Sequence, residues 1–428
     1  MQTQLAPEYR DTPDGKAAEA ILRKCVHCGF CTATCPTYQL LGDELDGPRG
    51  RIYLMKQVLE GHAPTRKTQL HLDRCLTCRN CESTCPSGVE YGHLVDIGRK
   101  LVDAKVARPA AEKAVRWALK EGLPSPLFAP AMRLGQAVRP LLPAALQAKV
   151  PARQDAGNWP TRTHARRMLM LAGCVQPAMM PNINRATARV LDAAGIQTVV
   201  APQVGCCGAV KFHLNDQDGG KRQMRANIDA WWPYIDGAQD PVDAIVMNAS
   251  GCGVTVKEYG HILRDDPVYA EKARRISALT RDLSELLPEL VQQLAGRVDA
   301  AHAAPGAGHA AAAARLVFHP PCTLQHGQQL RGGVEQHLRA LGFDVQLPAA
   351  ESHLCCGSAG TYSVLHPALA VQLRDRKLGH LAAASPAVIV SANIGCITHL
   401  QSGTDTPVRH WVELLDQALA HGPVSAAA

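Results

Sequence analysis

The sequence predicts a multidomain α+β protein, with a helical N-terminal domain followed by two α/β repeat domains. Three observations carry this expectation. Two tight runs of four cysteines, Cys25 to Cys35 and Cys75 to Cys85, flank a segment with helical spacing. Beyond residue 165 short apolar runs alternate with helical patterns, the signature of mostly parallel sheets. That alternation is written twice, with the same cysteine punctuation in each copy. The boundaries follow: 1–105 for the helical domain, 106–165 for a linker with short helices, 166–297 for the first repeat, 298–314 for an Ala/Gly linker and 315–428 for the second repeat.

Composition narrows the function classes. Of 428 residues 46% are hydrophobic and 4% aromatic, so the core rests on Leu, Val, Ile and Ala. The net charge of +7, from 45 basic and 38 acidic residues, is spread along the chain, and no basic run argues for nucleic acid. The 16 cysteines are the outstanding feature. The stretch MQTQLAPEYRDTPDGKAAEAILRK has no signal-peptide core, and no apolar run reaches the ~18 residues needed to span a bilayer. The expected setting is cytoplasmic, or peripheral on the inner face of the cytoplasmic membrane. Clustered thiols in a reducing compartment mean metal binding or catalysis rather than disulfides.

The first run reads Cys25-Val-His-Cys28-Gly-Phe-Cys31-Thr-Ala-Thr-Cys35-Pro36, and the second Cys75-Leu-Thr-Cys78-Arg-Asn-Cys81-Glu-Ser-Thr-Cys85-Pro86. Both are C-x2-C-x2-C-x3-C-P. Three thiolates at this spacing wrap one side of a [4Fe–4S] cluster, and the fourth ligates the other cluster. The expected sets are Cys25, Cys28, Cys31 and Cys85 for one cluster, and Cys75, Cys78, Cys81 and Cys35 for the other. Zinc usually takes two C-x2-C knuckles set a dozen or more residues apart, so a non-redox zinc scaffold is the weaker reading. The 39 residues between Cys35 and Cys75 include Arg51 to Leu59 at helical spacing, which makes this a helical [4Fe–4S] ferredoxin domain.

The linker PLFAPAMRLGQAVRPLLPAALQAKVPARQ is cut too often by Pro for one long helix. Its short helices are expected to pack on their own domain; contact with a membrane or partner through Leu123, Leu127, Phe128, Leu134 and Leu141 is the alternative.

In the first repeat, a strand over Met168–Ala172 leads to Cys174, and a helix over Asn182–Ala194 leads to the strand IQTVVAP and then Cys206-Cys207-Gly208. A strand over Ala244–Met247 leads to Cys252. In the second, Leu316–Phe318 leads to Cys322, a helix over Val334–Ala340 to the strand FDVQL and Cys355-Cys356-Gly357, and Val388–Val390 to Cys396. The gaps nearly match: 31 and 32 residues, then 44 and 39. A buried-thiol role explains one cysteine but not two matching sets of four. Cys174, Cys206, Cys207 and Cys252, and Cys322, Cys355, Cys356 and Cys396, are therefore candidates for a further redox or metal centre, at the carboxyl ends of strands. His213, His319, His326, His353 and His399 are candidate ligands or proton donors nearby. The two copies are expected to fold alike. No catalytic residue is assigned: no G-x-G-x-x-G follows a strand, and no Walker loop is present. Gly306-Ala-Gly308 is spacer.

CVHCGFCTATCPTYQLLGDELDGPRGRIYLMKQ, LDRCLTCRNCESTCPSG, NIDAWWP, ASGCG, HLCCGSAGTY and SANIGC together resemble the bacterial glycolate oxidase iron–sulfur subunits over nearly the whole chain. The CCG repeats also resemble the CCG-bearing subunit of heterodisulfide reductase, although Ala249 and Asn393 stand where that relative has a further cysteine. The resemblance implies a complex with FAD-binding subunits. Glycolate would be oxidised to glyoxylate on the partner's flavin, and electrons would pass through this chain to a quinone or other membrane-linked acceptor. The electron-transfer subunit of a lactate or anaerobic glycerol-3-phosphate dehydrogenase is the rival of the same chemistry.

Overall fold

In the computed structural model, residues 1–143, 147, 150–298 and 314–421 are described. The N-terminal part is helical, as expected. Thr12 accepts from the Gly15 N–H to cap Pro13–Lys24, and a reciprocal Thr65/Thr68 capping box opens Arg66–Asp73. The helix expected from Arg51 begins at Pro48, because proline's fixed φ and missing donor suit a first turn. With Tyr91–Lys105 these helices enclose Leu22, Met55, Leu59, Leu72 and Leu94, all fully buried.

Each repeat contains a four-stranded parallel sheet. The first comprises β1 (Arg166–Met170), β2 (Ile196–Val199), β3 (Ala244–Met247) and β4 (Thr280–Asp282); the second, β5 (Leu316–Phe318), β6 (Val345–Gln346), β7 (Val388–Ser391) and β8 (Val408–His410). The orders, β2-β1-β3-β4 and β6-β5-β7-β8, are the same. So is the central register: Met168 pairs with Ala244 and Leu316 with Val388. The edge strands β4 and β8 are absent from the sequence expectation. Thr280-Arg-Asp282 and Val408-Arg-His410 are too short and polar to show a pattern, and pairing to β3 and β7 makes them strands. The linker expected over 298–314 lies almost entirely outside the described residues.

The repeats share a core. The helix Pro181–Ala193 packs on Trp411–His421, and Leu191, Leu287, Leu338, Trp411 and Leu415 belong to one buried cluster. Arg189 pairs with Asp416 at 2.6 Å. At the sheet tips the Ser250 N–H donates to the Ala392 carbonyl, and the Ser250 and Thr323 hydroxyls meet at 2.7 Å. The linker helices Ala110–Gly122 and Phe128–Ala137 form as expected; no residue of either is fully buried, and Arg116 and Lys120 tie the first to Asp73 and Asp216, each at 3.2 Å. Trp117, Leu127, Leu134 and Leu141 remain more than 60% exposed.

The helical unit sits against both repeats. Glu258 of the first accepts from Arg79 (2.9 Å) and contacts His93 (3.1 Å). Burial opposes the Glu258 charge, yet His93 and Arg79 hold its carboxyl down at about 2. Glu258→Ala would strip the largely buried Arg79 of its counter-charge and should destabilise this junction by about 3 kcal/mol. The check is the thermal midpoint of the anaerobic protein; an unchanged midpoint would show that the pair contributes nothing. The second repeat meets the helical unit through Asn80, which donates to the carbonyls of Thr34 and His353, and through Ser83 and His326 at 2.8 Å.

Candidate metal centres

The two cysteine loops have the same backbone. His27 and Thr77 hold φ of 55° and 53°, and Gly29 and Arg79 hold 86° and 59°. These left-handed turns curl each loop around its thiols, and the Thr77 N–H points at Cys75 Sγ, 3.4 Å away. One cavity is lined by Cys25, Cys28, Cys31 and Cys85, with Cys81 at its back. A second is lined by Cys35, Cys75, Cys78 and Cys81. The fourth cysteine of each run thus lies beside the first three of the other. Cys81 stands between the cavities, so the two centres are neighbours.

Their surroundings are asymmetric. The first cavity opens to solvent at Cys28, flanked by Val26 and Phe30, 68% and 62% exposed. The second is backed by the buried Arg51, which donates to the His71 carbonyl (2.7 Å) and to Thr37 Oγ1 (3.1 Å) and pairs with buried Asp46. Thr37 Oγ1 in turn lies 3.3 Å from Cys35 Sγ. Arg99 donates to the Leu72 carbonyl and to Thr77 Oγ1. Both arginines hold backbone next to Cys75 and set positive charge beside thiolates.

The donor set fits iron. Burial pushes the Cys31 thiol up to about 11 and lifts Cys78 and Cys81 well above the ordinary thiol range. Such thiols ionise when a bound cation supplies the compensating charge.

Each repeat gathers its own four cysteines past the strand ends. In the first, Cys174 contacts Cys206 and Cys207 contacts both Cys206 and Cys252. Hydrogen bonds from Cys174 and Cys207, with the Gly208 and Val210 N–H groups, hold the Cys206 thiol below the ordinary range against burial. In the second, Cys322 and Cys355 Sγ lie 3.8 Å apart, and Cys356 contacts Cys355 and Cys396. Neighbouring residues of a regular strand point to opposite faces. The paired cysteines instead precede glycines at φ 93° (Gly208) and 90° (Gly357). A Cβ there would approach the Gly220 and Ala370 carbonyl oxygens to 2.9 and 2.5 Å, so glycine allows both the turn and the close approach.

The second quartet abuts the ferredoxin unit. After burial, the nearby Cys322 is the largest influence raising the Cys78 thiol. Leu76, Cys322, Cys355 and Tyr362 form one buried cluster with Cys78 against it. Of the candidate histidines, His319 lies within the second quartet. His326 bridges Ser83 and the His353 carbonyl, His399 contacts the Ala370 carbonyl, and His213 lies 3.4 Å from Asp96. The sequence reading missed Arg51, Arg99 and Lys377. Lys377, buried beside Cys356 and Cys355, donates to the Glu351 carbonyl, and burial pulls its ammonium down to about 8 against those thiols. An isolated basic residue in an amphipathic helix carries no signal of such a role.

The cysteine loops and the twin sheets define the class: an iron–sulfur protein. A family described as 4Fe-4S dicluster domain matches residues 21–89, and one described as cysteine-rich domain matches 168–257 and 316–401. The chain is 55% identical to the glycolate oxidase iron–sulfur subunit of Escherichia coli (strain K12), over 98% of this chain and 99% of that one. It is 29% identical to the probable glycolate oxidase iron–sulfur subunit of Bacillus subtilis (strain 168), over 98% of each. Lactate utilization protein A of Geobacillus thermodenitrificans is 27% identical over 57% of this chain and 95% of its own length. The chain therefore belongs to the family of glycolate oxidase iron–sulfur subunits, and its dicluster domain carries [4Fe–4S] clusters.

Proposed function

We propose that this chain is the electron-transfer subunit of a glycolate-oxidising complex, taking electrons from an FAD-binding partner and passing them toward a quinone or other membrane-linked acceptor. The observation that carries the reading is the line of thiol sites from solvent-exposed Cys28, through the cavity walled by Cys81, to partly buried Cys78 near Cys322. Cys25, Cys28, Cys31 and Cys85 hold one cluster; Cys75, Cys78, Cys81 and Cys35 hold the other. Each cluster supplies a one-electron carrier. Around them Arg51 and Arg99 offset thiolate charge, and burial keeps water from the second site. The quartets Cys174, Cys206, Cys207, Cys252 and Cys322, Cys355, Cys356, Cys396 extend the line with further redox or metal sites. No described helix is long and apolar enough to cross a membrane.

The test is electron paramagnetic resonance of the co-purified complex, reduced in parallel by glycolate, lactate or glycerol 3-phosphate. Glycolate alone should develop cluster signals, and the isolated chain should bind no FAD. The partial match to lactate utilization protein A makes lactate the second substrate to compare; faster reduction by lactate would reverse the assignment. Crossed ligation has its own outcome. Cys85→Ser should perturb the signal of the cluster held by Cys25, Cys28 and Cys31 and spare the other. If it perturbs the cluster of Cys75, Cys78 and Cys81 instead, each run serves its own centre.

A further inference from the structure

The two quartets are built on the same backbone but in different chemistry. The Leu171 N–H donates to the Val246 carbonyl at the end of β1, and the His319 N–H donates to the Val390 carbonyl at the end of β5. Val246 and Val390 hold matching places in β3 and β7, each the partner of the last β1 or β5 residue. His319 thus occupies the place of Leu171, three residues before the first cysteine of its quartet. Leu171 is an ordinary core residue, 3% exposed. His319 is 0% exposed, and neither ring nitrogen has a hydrogen-bond partner. A buried imidazole with both nitrogens unmet is costly, and such groups in native proteins ordinarily have a partner. Its backbone is held as well, since the Ser391 hydroxyl donates to the His319 carbonyl at 3.0 Å.

An imidazole nitrogen of His319 and the Sγ atoms of Cys356 and Cys396 all lie within 4.8 Å of one another. Tetrahedral bonds of about 2.0–2.3 Å place ligand atoms about 3.5–3.8 Å apart, so small side-chain rotations close the trio on one ion. We infer that His319 is a metal ligand, forming with Cys356 and Cys396 a buried mixed imidazole–thiolate site for iron or zinc that the first repeat lacks. The inference deepens, and rests on, the reading that the quartets hold metal.

Charge supports the assignment. Two thiolates, one neutral imidazole and a divalent ion sum to zero, which suits a site sealed from water. Cys355 contacts Cys356 at the margin of the trio, and the Lys377 ammonium stands beside both thiols. The first quartet has a neutral residue at the matching place. Gly220 and Ala370 present carbonyls to the two CCG glycines, and seven residues on from each stand Asn227 and Lys377. Asn227 is a neutral amide, engaged by the Gly205 N–H and the Cys206 carbonyl.

The test uses the full chain purified anaerobically with its partner subunits. Wild type should contain iron or zinc beyond the iron of the two cubane clusters. A nitrogen ligand should appear as 14N coupling in pulsed paramagnetic resonance if the ion is iron. If it is zinc, X-ray absorption should show a nitrogen shell at about 2.0–2.1 Å beside sulfur at about 2.3 Å. His319→Leu, the residue found in the first repeat, should lose one site's worth of that metal while the cubane signals persist. His319→Cys should retain the metal and exchange the nitrogen for sulfur. Extra metal with all-sulfur ligation, unchanged in both variants, would overturn the role of His319 and leave the quartets as metal sites. Absence of extra metal in wild type would overturn both.

Discussion

Replacing Cys78 with Ser is expected to stop electron delivery to the acceptor while glycolate still reduces the partner's flavin. Cys78, a proposed ligand of the second cluster, lies where the ferredoxin unit meets the second repeat, with Leu76 and Cys322. A serine oxygen is a hard donor where a soft thiolate is required, so the second cluster should be lost or displaced. It should take with it the link onward to Cys322 and Cys355. The first cavity, closed by Cys85 rather than Cys78, should keep its cluster. Stopped-flow absorbance separates the two effects, because flavin bleaching should stay at wild-type rate while reduction of an artificial quinone falls to background. Undiminished quinone reduction would mean that electrons leave before this point. Cys207→Ser and Cys356→Ser, measured in the same assay, should also slow acceptor reduction while sparing the ferredoxin signals. Full activity in both would make those cysteines structural.

Arg51→Leu should destabilise the ferredoxin unit by about 3–5 kcal/mol, the usual consequence of breaking a buried ion pair by removing one partner. The Arg51 side chain is 1% exposed and Asp46 0%. Burial works against the Arg51 charge, and Tyr91, Cys75, Cys35 and Asp46 together outweigh it and raise its pKa. Without the guanidinium, Asp46 keeps only Arg74, at 2.8 Å, and His71, at 3.1 Å. The His71 carbonyl and Thr37 lose their donor, and Thr37 is the hydroxyl next to Cys35. Cluster absorbance and far-ultraviolet circular dichroism, followed together through anaerobic denaturation, should show a lower midpoint with loss of the second cluster first. Arg51→Lys should rescue little, because one ammonium cannot reproduce the three directions in which the guanidinium donates. A stability within about 0.5 kcal/mol of wild type, the scatter of a surface substitution, would remove Arg51 from the account.

Much of the architecture was legible because its signals are local. The spacing within Cys25–Cys35 and Cys75–Cys85 prescribes a loop that wraps a compact cluster, and proline after the last cysteine opens a helix at Pro36. The apolar runs Ala244–Met247 and Leu316–Phe318 are strands with the expected bounds, since four or three buried residues in a row suit a parallel sheet covered on both faces. The repeat itself was visible in cysteine spacing alone. By contrast, β6 shrank to Val345–Gln346, and the polar edge strands β4 and β8 left no trace in the pattern. Edge strands are specified by the neighbour they pair with, which a one-dimensional pattern does not contain.

The class of chemistry was readable from the chain alone: cysteines at those intervals, without a dinucleotide fingerprint, point to iron–sulfur electron transfer. Ligand type and short-range spacing are properties of the chain, and they survive without knowledge of the fold. Which thiols face one another, and in what company, was settled only in three dimensions. Folding set Cys78 against Cys322 across 243 intervening residues, left Cys28 at the surface, brought Arg51 and Lys377 to the thiols from elements with no motif, and singled out His319 from the histidines near the quartets. Those placements depend on how separately folded units dock and on which charges burial then forces together, and both are long-range consequences of packing.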